Sequence, residues 1–533
     1  REWFLDALGQ PTPPQALGWP PIMRGEHTLI LAPTGSGKTL AAFLWGINRI
    51  FTELQAGTLH SGVDLLYVSP LKALNNDIER NLRAPIEGSQ ARAKAAGGPL
   101  PSVRVAVRTG DTPSSARVAM VKRPPQILIT TPESLYIMLT SEQARQTFRQ
   151  VRTVIVDEIH TMVGSKRGVH LALSLERLEC LVGAPVQRIG LSATIRPLEE
   201  VARFLGGQEL SRGDARPRPV TIVDAGYRKA MDLRVVGLPM ETPREIQESG
   251  GLWANLVPRV LELVRQHRTS LIFCNNRRLA ERTADRLNEQ FFAEESEEAP
   301  PGSSEPLAPG GVPRGLGLMG ITSRGGPFRA HHASMSKEAR LKTEQDLKEG
   351  RLPALVGTSS LELGIDMGSI DLVVQVQSPK GVTQGLQRVG RSGHLVGQTS
   401  VGRIFPTHSQ DLLEAAAVAR GMARGDVEAT HTPHNCLDVL AQQVVAAVAV
   451  EAWDVRELYG LVRQAYPYRD LPWEAFQRVL EMLSGKYPSE VSRALRPRIV
   501  WDRVNNRLAA LPGSRLLSVT NGGAISDRGA FAV

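Results

Sequence analysis

Cysteine is scarce in this chain: Cys180, Cys274 and Cys436 are the three among 533 residues. They lie far apart and are odd in number, so no disulfide framework and no paired metal-ligand spacing is present, which points to a reducing, cytoplasmic compartment. Long apolar runs are missing too. The longest, around residues 444–450, is far short of the roughly 20 residues that cross a bilayer, and no signal peptide opens the sequence. A soluble chain with no membrane partner is expected. Aromatic residues are only 5% against 42% apolar in all, so the core has to be built mainly from Leu, Val, Ile and Ala. The sequence starts at Arg1 rather than Met and stops just after a turn-rich segment, which suggests a fragment of a longer protein.

What is present is length and positive charge. A single hydrophobic core seldom organises 533 residues, and three or four domains are expected. Lys and Arg number 63 against 54 Asp and Glu, a formal charge of +9, which favours a polyanionic partner without specifying one.

Short β-branched runs alternate with helical stretches. Residues 28–32, 65–68, 103–107, 127–129, 154–156 and 188–191 read as buried strands of a parallel sheet covered on both faces, forming a first domain over 1–210. The Pro- and Arg-rich segment 212–219 breaks the pattern. A second alternation follows over 211–430, with strands at 270–273, 354–356 and 372–374 and a helix at 278–292. Residues 294–324, rich in Glu, Pro, Ser and Gly, read as a mobile insertion. Helical periodicity at 437–453, 455–464 and 473–483 suits a winged-helix-like module over 431–495, and alternation at 499–501 and 516–519 suggests the start of a truncated β-rich domain over 496–533. Trp453, Trp473 and Trp501 read as core, and His431, His434 and Cys436 as linker residues, since a zinc site needs a fourth ligand.

The segment Ala32-Pro33-Thr34-Gly35-Ser36-Gly37-Lys38-Thr39 follows the first strand and opens a helix. Polyphosphate binding needs amide donors that approach unhindered. Gly35 and Gly37 allow this, with Thr34 and Ser36 in the same loop, Lys38 supplying a cation and Thr39 a hydroxyl for Mg²⁺. Ala32 stands where the strict pattern has its first glycine. A second acidic site follows the strand at 154–156, where Asp157 can hold Mg²⁺ and Glu158 can orient and deprotonate the attacking water. In Gln387-Arg388-Val389-Gly390-Arg391-Ser392-Gly393-His394, the two arginines and Gln384 share one helical face, suited to charge developing on a transferring γ-phosphoryl. A solvated basic helix is the rival reading.

These motifs in this order resemble superfamily 2 helicases over residues 15–394. The resemblance implies that Gln15 reads adenine and that Lys72, Arg108, Thr109, Thr131, Pro132, Asn275, Arg277 and Thr358 grip a nucleic-acid strand. It further implies that His160, Ser192 and Thr194 couple hydrolysis to movement, and that Gly364 and Asp366 join Gln384, Arg388 and Arg391 at the nucleotide. Asp157-Glu158-Ile159-His160, the ending Arg391-Ser392-Gly393-His394, Leu437-Asp438-Val439-Leu440-Ala441-Gln442-Gln443 and Tyr466-Pro467-Tyr468-Arg469-Asp470 are similar to the large helicase-related family. That likeness implies an α/β chain of two tandem RecA-like parallel-sheet domains, then a winged-helix domain and a β-barrel-like domain. It also implies a 3′ to 5′ translocase driven by ATP and Mg²⁺ on single-stranded DNA. Such a motor unwinds DNA duplexes or RNA:DNA hybrids, serves DNA repair, and is nucleoid-associated in a prokaryote; protein partners are not readable. An RNA helicase, a DNA-remodelling translocase that does not separate strands, and an ATP-gated nucleic-acid clamp remain open alternatives.

Overall fold

The structure is a computed structural model and describes residues 2–33, 35–98, 100–193, 195–211, 214–226, 230–238, 251–298, 326–332, 334–362, 368–393, 398–486, 496–523, 525 and 527. The chain divides into two compact units, one holding 1–32, 36–226 and 429–533 and the other taking in 227–428.

In the first unit, β1 (His27–Leu31), β2 (Leu65–Val68), β3 (Val105–Arg108), β4 (Ile127–Thr130), β5 (Thr153–Val156) and β6 (Gln187–Ser192) lie in one sheet. A short antiparallel pair, β7 (Gln208–Ser211) and β8 (Asp214–Pro217), precedes β9 (Val220–Asp224), which completes the sheet in the order β3-β4-β2-β5-β6-β1-β9. Every pairing in it is parallel. Because side chains alternate across a strand, Leu29, Leu31, Val154 and Val156 join the core on one face, while Ile30 and Ile155 join the core on the other. Parallel strands place all their carboxyl ends at one edge, so the loops after β1, β2, β4, β5 and β6 gather there.

The second unit repeats the plan with β10 (Met231–Val235), β11 (Ser270–Cys274), β12 (Phe328–His331), β13 (Ala354–Gly357), β14 (Leu372–Val376) and β15 (Ser400–Phe405). Their order is β10-β15-β14-β11-β13-β12, again all parallel.

After residue 429 the chain returns to the first unit as a winged helix. Helices Leu437–Val448, Val455–Gln464 and Trp473–Leu483 stand with a three-stranded antiparallel sheet of β16 (Trp453–Asp454), β18 (Arg507–Ala510) and β17 (Ile499–Asp502). Asp454 caps the second of these helices, accepting from the Arg456 and Glu457 amides at 2.7 and 3.2 Å. One continuous core joins this module to a face of the first sheet, with Val439, Val444 and Leu458 packed alongside Leu173 and Leu178. Arg177 crosses the junction, donating to Gln443 Oε1 at 2.9 Å and the Ala446 carbonyl at 3.3 Å.

Several boundaries differ from expectation. The first unit runs to residue 226 rather than 210, because β9 pairs with β1 after the Pro/Arg segment has closed its own small hairpin. The strands expected after Arg496 form, but β18 pairs with Trp453–Asp454, which ties them to the winged helix as its wing. Residues 516–519, expected as a strand, lie in helix Ser514–Thr520, where Ser514 and Ser518 share the inner face. A run this short reads either way from periodicity. Trp453 is in β16 and not in the preceding helix, which ends at Val448. Of the expected insertion, 294–298 continue helix Arg277–Glu298 and 299–324 lie outside the described residues. Among the described residues no helix is long and apolar enough to cross a membrane.

Candidate functional site

The loop after β1 leads into helix Lys38–Ala56 through Gly37, whose φ of 84° is left-handed backbone that favours glycine. A Cβ there would also meet Gln15 Nε2 at 2.5 Å. Gln15 stands in helix Pro13–Met23, where its Oε1 accepts from the Thr12 amide at 3.0 Å and its Nε2 donates to the Gly37 carbonyl at 3.3 Å. Thr12 adds a hydroxyl bond to the Ser36 carbonyl at 2.7 Å. The glutamine expected to read a base thus fastens its helix to the phosphate loop. Lys38 is buried and its Nζ lies 3.4 Å from the Ala32 carbonyl. Thr39 follows in the first helical turn, half-buried, and Thr34 lies outside the described residues.

Two strands away in the same sheet, β5 delivers Asp157 and Glu158. Both are buried. Asp157 Oδ1 accepts from the Glu158 amide at 2.8 Å, and Oδ2 accepts from the hydroxyl of Tyr67 on neighbouring β2. Burial and the adjacent Glu158 carboxylate raise the Asp157 carboxyl, while Lys38 and Tyr67 oppose that shift. Glu158 has a φ of 47°, a left-handed backbone rare outside glycine.

His160 follows at the start of a short helix, its Nδ1 3.5 Å from Glu158 Oε2, 3.3 Å from the Ser192 hydroxyl and 3.4 Å from the Ala193 amide. Burial lowers its basicity, against the opposing effect of the Glu158 carboxylate. Since β6 stands between β1 and β5, Ser192 at its carboxyl end is brought beside the acidic pair. Thr194 lies outside the described residues. Lys38, Asp157, Glu158, His160 and Ser192 are therefore gathered by one edge of one sheet.

The strand-gripping candidates of the first unit occupy the same edge. Thr131 caps helix Pro132–Leu139, its hydroxyl accepting from the Ser134 amide at 3.4 Å and donating to the Ser134 hydroxyl at 3.2 Å. Thr109 Oγ1 accepts from the Asp111 amide at 3.2 Å. Both hydroxyls shape their loops. Arg108 ends β3, and burial lowers its basicity. Lys72 opens helix Lys72–Ala95, with its side chain outside the described residues.

In the second unit, Gln384, Arg388 and Arg391 converge on Glu362, a residue given no role from sequence alone. Glu362 Oε1 accepts from Gln384 Nε2 at 2.8 Å and Arg388 Nε at 2.7 Å, and its carbonyl accepts from Arg391 at 2.6 Å. Arg388 finds its partners within its own unit. It is 2% exposed and also donates to Asn275 Oδ1 at 2.9 Å and Gln375 Oε1 at 2.7 Å, so its guanidinium is spent inside its own unit. Asn275 is equally committed, donating to the Ser378 carbonyl at 2.8 Å. Arg277 donates to Ser334 at 3.0 Å, and Thr358 immediately precedes the short helix Ser359–Leu361 without a capping bond from its side chain. Gly364 and Asp366 lie outside the described residues. Sequence reading also passed over Tyr67 and Gln375, which look like ordinary strand residues until the sheets bring Asp157 and Arg388 beside them.

Comparison with known proteins agrees with this layout. Residues 12–202 match the DEAD/DEAH box helicase family and residues 317–395 the helicase conserved C-terminal domain. These two domain types, each built here on its own parallel sheet, are those of the superfamily 2 helicase class. Residues 420–533 match the winged-helix domain of the large helicase-related protein. The chain is 51% identical to the Lhr helicase/probable uracil glycosylase of Mycolicibacterium smegmatis, all of the chain matching 34% of that protein. It is 45% identical to the Lhr helicase/uracil glycosylase of Escherichia coli, covering 35% of it. The structure of the Mycobacterium smegmatis helicase Lhr bound to ssDNA and AMP-PNP superposes with a TM-score of 0.84 at 49% identity, over 99% of this chain and 62% of that one. The chain belongs to the large helicase-related (Lhr) family and spans about a third of the length of these two bacterial relatives.

Proposed function

We propose that this chain is the motor of an ATP-dependent DNA translocase that tracks 3′ to 5′ on single-stranded DNA and unwinds DNA duplexes or RNA:DNA hybrids in DNA repair. The observation that supports it most is the convergence of Lys38, Asp157, Glu158 and His160 at the edge where the strand-gripping loops also end. A relative at 49% identity is described with ssDNA and AMP-PNP, a ligand pair that fits two such neighbouring sites.

In this reading Lys38 and the amides of the 35–37 loop hold the β- and γ-phosphates. Thr39 and Asp157 form an all-oxygen donor set suited to Mg²⁺, and the buried, raised carboxyl of Asp157 is a group that a cation would stabilise in its charged form. Bound there, Mg²⁺ neutralises charge on the phosphate oxygens. Glu158 takes the proton of the attacking water. His160 then relays the state of that carboxylate to Ser192 through the contacts at 3.5 and 3.3 Å. Of the two arginines, Arg391 is the one we assign to developing phosphoryl charge, because Arg388 is already saturated by Glu362, Asn275 and Gln375.

A steady-state ATPase measurement with and without single-stranded DNA, paired with strand displacement from 3′- and 5′-tailed DNA, RNA and hybrid duplexes, tests the reading. DNA stimulation and unwinding from 3′ tails are expected. Unwinding only from 5′ tails would reverse the polarity, stimulation only by RNA would make it an RNA helicase, and absence of any stimulation would leave an ATP-gated clamp.

A further inference from the structure

The loops after β2 and β4 sit side by side, because those strands are neighbours in the sheet. The first carries Pro70 and leads to Lys72; the second is Thr131, which opens directly into helix Pro132–Leu139 with Glu133 in its first turn. One side chain from a third segment joins them. Arg167, in the first turn of helix Lys166–Val182, places Nε 2.6 Å and a terminal nitrogen 3.1 Å from the two Glu133 carboxylate oxygens, a bidentate pair, and donates to the Pro70 carbonyl at 2.7 Å. The guanidinium beside it holds the Glu133 carboxyl below its ordinary range against the opposing effect of burial. Pairing of this planar, two-pronged kind fixes the spacing of its partners in a way a lysine's point charge does not.

The helix that carries Arg167 is also the seat of the winged helix. Ser165 caps it, accepting from the Gly168 amide at 3.2 Å, and no side chain fits at Gly168, where a Cβ would lie 2.0 Å from the Met162 carbonyl. Lys166 pairs with Asp438 at 2.6 Å, and its amide donates to Asp527 at 2.7 Å. One turn on, Gln443 donates to the His170 carbonyl and the Ser174 hydroxyl, both at 3.0 Å. The two residues Lys166 and Arg167 thus face opposite clients, one the winged helix and the other the pair of loops.

We propose that Arg167 is a positioning residue for nucleic-acid binding: it sets the distance between the Pro70 loop and the helix start at Glu133 so that both meet successive phosphates of one strand. It does so without touching the strand itself. Docking of the winged helix on Lys166–Val182 fixes where Arg167 stands, which makes the winged helix a support for the grip of the first motor lobe. The inference rests on the reading of these loops as strand-gripping.

Two readings of Arg167 predict opposite results at its partner. If Arg167 touched phosphate directly, neutralising Glu133 would remove a competing anion and tighten binding. If Arg167 positions the loops, neutralising Glu133 unfastens them and weakens binding. The experiment measures equilibrium binding of a fluorescent oligo-dT by the intact chain over a series of salt concentrations, for wild type, Glu133→Gln, Arg167→Ala, Arg167→Lys and Glu133→Gln/Arg167→Ala. Binding of a fluorescent ATP analogue serves as the control.

Positioning predicts an approximately tenfold loss of oligo-dT affinity in Glu133→Gln and Arg167→Ala alike, no further loss in the double variant, and only partial rescue by lysine. ATP-analogue affinity stays within about twofold of wild type, since Arg167 lies outside the phosphate loop, whereas a general loss of folding moves both ligands together. Tighter binding by Glu133→Gln, additive losses in the double variant, or parallel loss of both ligands would overturn the proposal. Failure of wild type itself to bind oligo-dT would instead remove the strand-gripping reading, so the two failures are distinguishable.

Discussion

The hydroxyl of Tyr67 donates to Asp157 Oδ2, joining a fully buried strand residue on β2 to the carboxylate at the end of neighbouring β5. Tyr67 also stacks on Phe43 of the helix that follows the phosphate loop, with ring centroids 5.2 Å apart and planes at 26°. Burial and the Asp157 carboxylate push the phenol well up from its ordinary range, which keeps it a donor.

Replacing Tyr67 by Phe keeps the stack and removes only that donor. A hydrogen bond to a charged acceptor contributes about 1.5–3 kcal/mol, so the carboxylate loses orientation and the Mg²⁺ concentration for half-maximal binding of an ATP analogue is expected to rise roughly tenfold. An unchanged Mg²⁺ titration would show that Asp157 is held without Tyr67.

Glu158→Gln preserves the shape of the side chain and abolishes its ability to take a proton. ATP-analogue binding is expected to persist while the hydrolysis rate falls by about 10²–10⁴-fold. Normal turnover in this variant would mean that another group activates the water.

The contrast between the two arginines gives a third prediction. Arg388→Ala leaves Glu362 buried without its cation, and breaking a buried pair in this way costs about 3–5 kcal/mol in unfolding free energy. Arg391→Ala is expected to lower kcat more than it raises KM for ATP, with a smaller effect on unfolding. Denaturant titration and ATPase kinetics on both variants separate the roles; wild-type stability of Arg388→Ala together with lost hydrolysis would return Arg388 to the chemistry.

Much of this was legible before folding was considered, and for a physical reason. Parallel strands buried on both faces must be continuous apolar runs, so residues 65–68, 127–129 and 154–156 are legible as such, and candidate catalytic groups are to be sought after their carboxyl ends. Chain position could not show which partners side chains choose across the sheet. Gln15 and Arg388 carry motif identities associated with nucleotide, and the structure shows them also bonded within the protein, Gln15 to the Thr12 amide and the Gly37 carbonyl and Arg388 to Glu362. Tyr67 and Arg167 carried no local signal, because their partners are 90 and 34 residues away. The wing is hidden for the same reason: β17 and β18 look like the opening of a new domain until β16, two residues long, pairs with β18.

His170 supplies a prediction about pH. It is fully buried on helix Lys166–Val182, with its ring 4.7 Å from that of Tyr136, and Glu133, Arg167 and Arg177 are the charged groups that act on it. Burial is the largest effect and brings its pKa from 6.5 down to about 4. Below the ordinary value the unfolded chain therefore takes up a proton that the folded chain refuses, and stability is lost as pH falls from about 6.5 towards about 4. At pH 5 this single group accounts for roughly 2 kcal/mol of the loss relative to pH 7. His170→Phe, which fills the same apolar site with an uncharged ring, is expected to lose that much less stability between pH 7 and pH 5 in urea unfolding. Because His27 is depressed in the same direction, the comparison has to be the difference between variant and wild type, and equal losses in the two would show that His170 is not charged on unfolding in this range.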